Sequence, residues 1–247
     1  MARIPVLFLA ALLSAAAAQA QPTFRLGLRG GLNRATSTVG TASSLSGTYP
    51  FPYSYSATKS ALYAWQAGAV LEVVLRHFAV QPALVFSQKG EQFNILYVSG
   101  STGSGQSTRE TQQTSRSNWL ELPVNVVYTR RGFQLFAGPY VALAVGGREH
   151  GTVLQAAPNV RYAPYYYDNK LEYGNGPGNR RLDAGVNAGL GYRRGPLQVQ
   201  LSYAVGLRNL HEENSSLIIE FPPYHDFATD AAYTRAVQLT GTYFFDL

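Results

Sequence analysis

The feature that most constrains the fold is a two-residue alternation of apolar and polar side chains, which recurs from Phe24 to the C-terminus. Such alternation places successive side chains on opposite faces of a β-strand. The 3.6-residue period of an amphipathic helix is not found after the first twenty residues. In 197–208 the apolar face carries Leu197, Val199, Leu201, Tyr203, Val205 and Leu207. The pattern predicts an all-β protein.

The same alternation predicts eight strands. They lie near 24–34, 61–75, 78–96, 117–129, 132–146, 181–193, 196–209 and 233–247. The links between them alternate in length: tight turns at 76–77, 130–132 and 194–196, and long polar connections at 35–60, 97–116, 147–180 and 210–232. Short turns on one side and long loops on the other are typical of an outer-membrane β-barrel. We therefore predict an eight-stranded antiparallel up-and-down transmembrane β-barrel with short periplasmic turns and long extracellular loops.

The N-terminus predicts export. Arg3 precedes an almost unbroken apolar run over 4–18, which ends in Ala18-Gln19-Ala20. This is the pattern of a secretory signal peptide with its cleavage site, and the run is too short for a convincing spanning helix. We predict a cleaved signal peptide over 1–20 and a barrel domain over 21–247, located in the outer membrane.

Composition excludes several classes of function. The chain has no cysteine, so disulfides and thiolate zinc sites are excluded. The net charge is +6, but the basic residues are scattered rather than gathered in a stripe. We therefore expect no nucleic-acid partner.

A secreted soluble barrel of the lipocalin type is the structural alternative, because alternation alone does not say which face points outward. A water-facing exterior would be dense in Lys and Glu. The polar face here is mostly Gly, Ala, Ser, Asn and Gln with isolated charges, as in segment 182–192. That composition suits a narrow lumen and favours the membrane barrel.

The isolated charges predict a network inside the barrel. If the polar face points inward, four cations and four anions line the lumen: Arg25, Arg29, Glu72, Lys89, Glu121, Asp183, Arg208 and Asp246. An eight-stranded barrel is just wide enough for side chains to fill it, so these charges should pair and plug the lumen. We predict little ion conduction. The arginines at the turns, Arg76, Arg130, Arg131, Arg193 and Arg194, are predicted to contact membrane lipid heads.

Tyrosines mark the predicted loops. The set comprises Tyr49, Tyr53 and Tyr55 in the first loop and Tyr162, Tyr165, Tyr166, Tyr167 and Tyr173 in the third. Tyrosine combines a large contact area with a polar end, which suits a protein or glycan partner. The alternative is that these rings pack on one another and close the barrel mouth.

Catalytic chemistry has little support. His211 with Glu212 and Glu213, and His225 with Asp226, could supply a base and its orienting carboxylate. No nucleophile motif accompanies them and no known metal-ligand spacing occurs, so we interpret them as solvated loop residues. We predict no catalytic residue, no metal and no cofactor.

Several segments together resemble the PorT-like outer-membrane β-barrel proteins of the Bacteroidetes. They are 27–33 (GLRGGLN), 80–90 (VQPALVFSQKG), 119–124 (WLELPV), 136–140 (FAGPY) and 189–192 (GLGY). The resemblance covers essentially all of 21–247. It implies an eight-stranded barrel inserted by the outer-membrane assembly machinery, and it links the family to type IX protein secretion. The last residues, Asp246-Leu247, depart from the aromatic ending common in outer-membrane proteins, and Phe245 is the nearest candidate for that signal.

Two functions of different classes remain. The first is a non-enzymatic structural or partner-binding barrel that uses its extracellular loops, associated with secretion as the resemblance implies. The second is a small-solute channel. A lipid-modifying enzyme at the rim is a third alternative.

Overall fold

The computed structural model describes residues 23–38, 43–47, 53–101, 105–174, 180–210 and 232–246. Within them it contains eleven β-strands: β1 Thr23–Ser37, β2 Ser43–Gly47, β3 Tyr53–Leu75, β4 Phe78–Ser101, β5 Gly105–Arg130, β6 Phe133–Ala157, β7 Val160–Arg161, β8 Tyr165–Lys170, β9 Leu182–Arg194, β10 Leu197–Gly206 and β11 Thr234–Asp246. In the same part of the chain, no helix is both long enough and apolar enough to cross a membrane.

Eight of these strands close into a ring. Chain neighbours pair antiparallel through β3, β4, β5, β6, β9, β10 and β11, and β1 pairs with both β11 and β3. Closure leaves no unpaired edge around the ring, which is what allows strands to cross a hydrocarbon layer. The predicted eight-stranded antiparallel barrel is confirmed.

The polar face points into the barrel and the apolar face points outward. On β10, Gln198 and Gln200 are 1% and 2% exposed, whereas Leu197, Val199 and Leu201 are more than half exposed. The narrow interior explains this choice, because small and amide side chains fill it while the large aliphatic groups contact lipid. A soluble barrel would have the opposite arrangement.

Aromatic side chains gather at the end of the barrel that carries the short turns. Phe78 packs on Tyr128 at 5.2 Å between ring centres, Phe133 on Tyr192 at 5.3 Å, and Tyr243 on Phe245 at 5.0 Å. Each ring is on the lipid-facing side, as in an interfacial girdle. The turns below them bend sharply, with Arg76 and Arg131 at φ of 54° and 52°.

Four ring strands are longer than the sequence predicted. β3 begins at Tyr53, β4 continues to Ser101, β5 begins at Gly105, and β6 continues to Ala157. Much of the three loops predicted at 35–60, 97–116 and 147–180 is therefore strand. The sequence pattern did not predict these extensions, because a strand above the membrane needs no apolar outward face. Its polar residues therefore do not alternate clearly with apolar ones.

The upper halves of these strands form a second region, which we call the extracellular sheet. It consists of 53–61 of β3, 91–101 of β4, 105–116 of β5 and 147–157 of β6, with β2 on β3 and β8 on β6. Below this region β6 pairs with β9, and above it β6 pairs with β8. The strands thus leave the ring at one side and continue outward as an open sheet.

The boundary between the two regions is marked by two register shifts. One lies between Ala61 and Gln66 of β3, and the other lies beside Asn118 and Trp119 of β5, where β6 carries an extra residue. Such bulges re-aim the side chains that follow. Above them the outward face carries Ser54, Thr58, Asn94, Gln112, Thr114 and Thr152, and the inward face carries Phe93, Ile95, Tyr97 and Val153. The outward face is therefore mainly polar here, with Leu96 and Leu154 as exposed exceptions, and the inward face mixes apolar side chains with charged ones such as Glu91.

Candidate functional site

A cluster of charges and amides fills the turn end of the lumen. This lower lumen cluster consists of Arg25, Glu72, Gln81, Arg193, Gln198 and Asp246. Glu72 is 1% exposed and accepts hydrogen bonds from Arg193 Nη1 at 2.7 Å and from Gln81 Nε2 at 2.8 Å. Gln81 also bonds Gln198 across the barrel at 3.1 Å. A buried carboxylate left alone would cost several kcal/mol, and these partners offset that cost.

Two further contacts extend the lower lumen cluster to the rim. Arg25 Nη1 lies 3.4 Å from Glu72 Oε2, and Arg25 Nε lies 2.8 Å from Asp246 Oδ1. The guanidinium of Arg193 lies 4.6 Å from the centre of the Phe244 ring, which suits a cation–π contact. Together these side chains span the lumen from wall to wall.

A second cluster lies near the barrel mouth. This upper lumen cluster consists of Lys89, Trp119, Glu121, Tyr140 and Asp183. Lys89 Nζ lies 2.8 Å from Glu121 Oε1 and 5.5 Å from the ring centres of Trp119 and Tyr140. The Tyr140 hydroxyl donates to Asp183 Oδ2 at 3.1 Å, and Thr234 Oγ1 donates to the same oxygen at 2.8 Å.

Arg29 lies between the two clusters. It is 8% exposed, and its described partners are neutral: Nε donates to Thr242 Oγ1 at 3.2 Å and Nη2 to Gln200 Oε1 at 3.0 Å. A cavity of about 20 Å³ lies beside it. That volume is close to the space of a single water, so the middle of the lumen is far narrower than an open pore.

The structure brings together most of the residues that were predicted to line the lumen. Glu72, Lys89, Glu121 and Asp183 are buried in the two clusters, and Arg25 and Asp246 pair at the open end, where the Asp246 side chain is 86% exposed.

Arg208 requires a correction. The sequence placed it in a strand over 196–209, but β10 ends at Gly206 and Arg208 is exposed in the bend that follows. The reason lies in the next residue, because the Asn209 side chain accepts a hydrogen bond from the Ala232 N–H at 2.8 Å and fixes the chain outside the ladder.

Arg193 also requires a correction. It was assigned to a turn in contact with lipid heads, but its side chain enters the lumen and bonds Glu72. The signal for this position was present, because 193 continues the inward alternation of Asp183, Gly185 and Asn187. The adjacent Arg194 and Gly195 made the turn interpretation more attractive.

A small pocket opens above the upper lumen cluster. It has a volume of about 100 Å³ and is lined by Lys89, Glu91, Trp119, Tyr173 and Arg180 among others. The Tyr173 ring packs edge-on against Trp119 at 6.2 Å, and burial raises the pKa of Tyr173 to about 12. Its hydroxyl is therefore protonated at neutral pH and can donate a hydrogen bond.

The predicted tyrosines differ in their exposure and packing. Tyr162, Tyr165 and Tyr166 are 56%, 65% and 72% exposed. Tyr53 stacks on Tyr97 and Tyr165 on Tyr167, both at 6.4 Å, and the Tyr167 hydroxyl donates to Gln113 Oε1 at 3.2 Å. Tyr49 and the side chain of Tyr55 lie outside the described part of the chain. The structure thus shows both exposed rings and rings packed on one another.

Charged residues hold the inward face of the extracellular sheet in place. Glu91 accepts from the Ser37 backbone N–H at 3.1 Å and from Ser37 Oγ at 2.9 Å, and Lys59 Nζ lies 3.8 Å from the same carboxylate. Burial lowers the pKa of Lys59 and raises that of Glu149. Both side chains are largely shielded from water, which is the cause of these shifts.

The His, Glu and Asp residues weighed for catalysis lie outside the described chain. His211, Glu212, Glu213, His225 and Asp226 all lie in 211–231, which the structure does not describe. In the described ranges, no group of three or more His, Asp or Glu side chains could hold a metal ion.

Comparison with known proteins agrees with this geometry. The profile of the family described as outer membrane protein beta-barrel domain matches residues 17–212. The chain belongs to this family of outer-membrane β-barrel proteins, and its location is the outer membrane. Among curated proteins, no sequence matches the chain.

Several solved structures show low-level likeness. Neisserial surface protein A is 7% identical, with 90% of this chain and 97% of that chain covered and a TM-score of 0.35. Ail of Yersinia pestis is 9% identical, with 92% and 100% covered and a TM-score of 0.37. The outer membrane protease OmpT of Escherichia coli is 10% identical, with 91% and 96% covered and a TM-score of 0.26.

Proposed function

We propose that this chain is a non-enzymatic barrel that binds a partner through its extracellular sheet. The observation that carries the proposal is that side chains fill the lumen, whereas the strands extend outside the membrane into an ordered sheet. Buried ion pairs and amides cross the lumen at two levels, whereas four strands continue beyond the membrane and present exposed tyrosines. A solute channel needs open space along its axis, and a binding protein needs ordered surface outside.

The binding surface consists of Tyr162, which precedes strand β8, and of Tyr165 and Tyr166 at the start of that exposed strand. These rings are rigid, amphipathic and more than half exposed, which suits a protein or glycan partner. The likeness to the PorT-like proteins of the Bacteroidetes supports a role associated with protein secretion by the type IX route. On the same basis the signal peptide over 1–20 directs export, the domain over 21–247 forms the barrel, and the outer-membrane assembly machinery inserts it.

Site-specific photo-crosslinking in native membranes tests the proposal. A photoreactive side chain at 166 should capture a specific partner, and the same group at His77, an exposed turn residue at the opposite end, should not. Tyr162→Ala with Tyr165→Ala should weaken capture while leaving the barrel folded. Equal capture from 166 and 77, or capture unaffected by the alanine variants, would contradict the proposal.

The channel alternative is tested in a planar bilayer. The purified protein should show little or no steady conductance, because the lower and upper lumen clusters fill the barrel. Large, stable and ion-selective openings from the unmodified protein would make the channel the leading function. Turnover of labelled lipid by the purified protein would instead favour an enzyme at the rim.

A further inference from the structure

Three cations lie side by side on the outward face of the extracellular sheet, and we call them the cation row. Arg116 of β5 is directly opposite Arg148 of β6, and Arg148 is directly opposite Lys170 of β8. All three side chains are exposed. Directly opposite residues on neighbouring strands lie about 5 Å apart, so three positive charges fall within roughly 10 Å.

Such an arrangement is unfavourable by itself. Like charges directly opposite one another destabilise a sheet, and here two such pairs share Arg148. One anion of the chain is close, because Arg148 Nη1 lies 3.1 Å from Asp168 Oδ2. That ion pair is weak since its side chains are 66% and 55% exposed, and it leaves a net charge of +2 on these four residues. The row therefore favours an anionic ligand.

The position of the cation row indicates which anion it meets. Leu120, Leu143 and Val145 are the outward aliphatic residues just below it on β5 and β6. Arg116 precedes Leu120 by four residues along the strand, which places it about 10 Å higher at the tilt of barrel strands. The row thus stands directly above the lipid-facing belt, in the layer where lipid headgroups lie.

We propose that the cation row binds the phosphate groups of an outer-leaflet lipid. Two guanidinium groups can each form paired hydrogen bonds to phosphate oxygens, and the Lys170 ammonium supplies a third charge. The polar neighbours Thr114 and Thr152 on the same face offer hydroxyls to a sugar headgroup. The site rests on the outer-membrane location alone and is independent of the proposed partner.

Native mass spectrometry of the detergent-purified protein tests the site. The probe is lipid A, offered with its phosphates or after their removal, and inorganic phosphate serves as a separate ligand. The test variant is Arg116→Gln/Arg148→Gln/Lys170→Gln. The matched control, Arg109→Gln/Arg161→Gln/Arg208→Gln, removes the same charge from exposed residues that belong neither to the row nor to the turns. Heat-dependent gel mobility verifies that each variant is folded.

The wild type and the control should bind phosphorylated lipid A alike, and the test variant should bind it at least about tenfold more weakly. Removal of the phosphates should abolish the difference between the test variant and the wild type. Without lipid, the test variant should be no less stable than the wild type, because it relieves like-charge repulsion.

Three outcomes would overturn the site. Equal weakening of the test and control variants would indicate nonspecific charge attraction. Equal binding of phosphorylated and dephosphorylated lipid A would show that phosphate is not recognised. Binding of inorganic phosphate as tight as that of lipid A would assign the row to a free anion instead of a lipid.

Discussion

The barrel and the extracellular sheet share four strands, yet the outward face is apolar in the barrel and mainly polar in the sheet. Along β5, the outward residues change from Leu122 and Leu120 to Gln112 and Thr108, while the inward residues change from Glu121 to the half-buried Thr111 and Gln113. The ladder of backbone hydrogen bonds is continuous through the change. The surrounding solvent, and not the strand, therefore decides whether the outward face is apolar.

The two regions should respond differently to loss of a carboxylate. Glu72→Ala leaves Arg193 buried without its counter-ion, so we expect the free energy of unfolding to fall by about 3–5 kcal/mol. Urea titration in detergent, followed by the mobility difference between folded and unfolded bands, measures this. The matched change in the extracellular sheet is Glu91→Ala, which removes hydrogen bonds at a more exposed site and should cost about 1 kcal/mol. Equal losses would contradict the distinction.

A charge introduced on the outward face should destabilise the barrel much more than the extracellular sheet. Leu122→Arg places a cation in hydrocarbon and should destabilise the folded protein in a bilayer by about 2–4 kcal/mol. Gln112→Arg makes the same charge change ten residues higher on the same strand and should stay within about 0.5 kcal/mol. Folding titrations in lipid vesicles compare the two. A comparable penalty at 112 would mean that the bilayer extends over the extracellular sheet.

The smallest expected effect concerns Glu149 on the inward face of the extracellular sheet. Burial raises its pKa, so the folded state binds the proton more tightly than the unfolded state. The resulting stability is present below the ordinary value of about 4.5 and is lost as pH rises through the raised pKa. Glu149→Gln should therefore exceed the wild type in stability at pH 7.5, by less than about 1 kcal/mol, and match it near pH 4. Thermal unfolding midpoints at both pH values decide this.

Sequence reasoning reached the barrel but not the extracellular sheet, for a physical reason. Alternation is visible where one face must meet lipid, so the strands through Leu28, Leu201 and Leu239 were found with nearly correct ends. Above the membrane the outward face needs only to be soluble, and Ser, Thr, Asn and Gln there look like loop. A bulge adds a further difficulty, because it shifts the alternation by one residue, as beside Gln66.

The candidate site was predictable to a similar extent. The alternation pattern predicted that Glu72, Lys89 and Glu121 face the lumen, because every second residue of a strand in a closed ring points inward. The pairing itself depends on which strands face one another across the lumen, and no pattern within one strand reports that. Arg193 has inward parity but was assigned to a turn because Arg194 and Gly195 follow it. The alignment of Arg116, Arg148 and Lys170 was missed because it depends on the register of three strands.

Spin labels along the outward face of β5 test whether the membrane ends where that face changes from aliphatic to polar residues. The chain has no cysteine, so single cysteines at 126, 122, 120, 116, 112 and 108 give unique labels. In a bilayer, oxygen collisions should dominate at 126, 122 and 120, and collisions with a water-soluble nickel complex should dominate at 112 and 108, with the crossover near 116. Oxygen dominance that continues through 112 and 108 would place the extracellular sheet inside the bilayer.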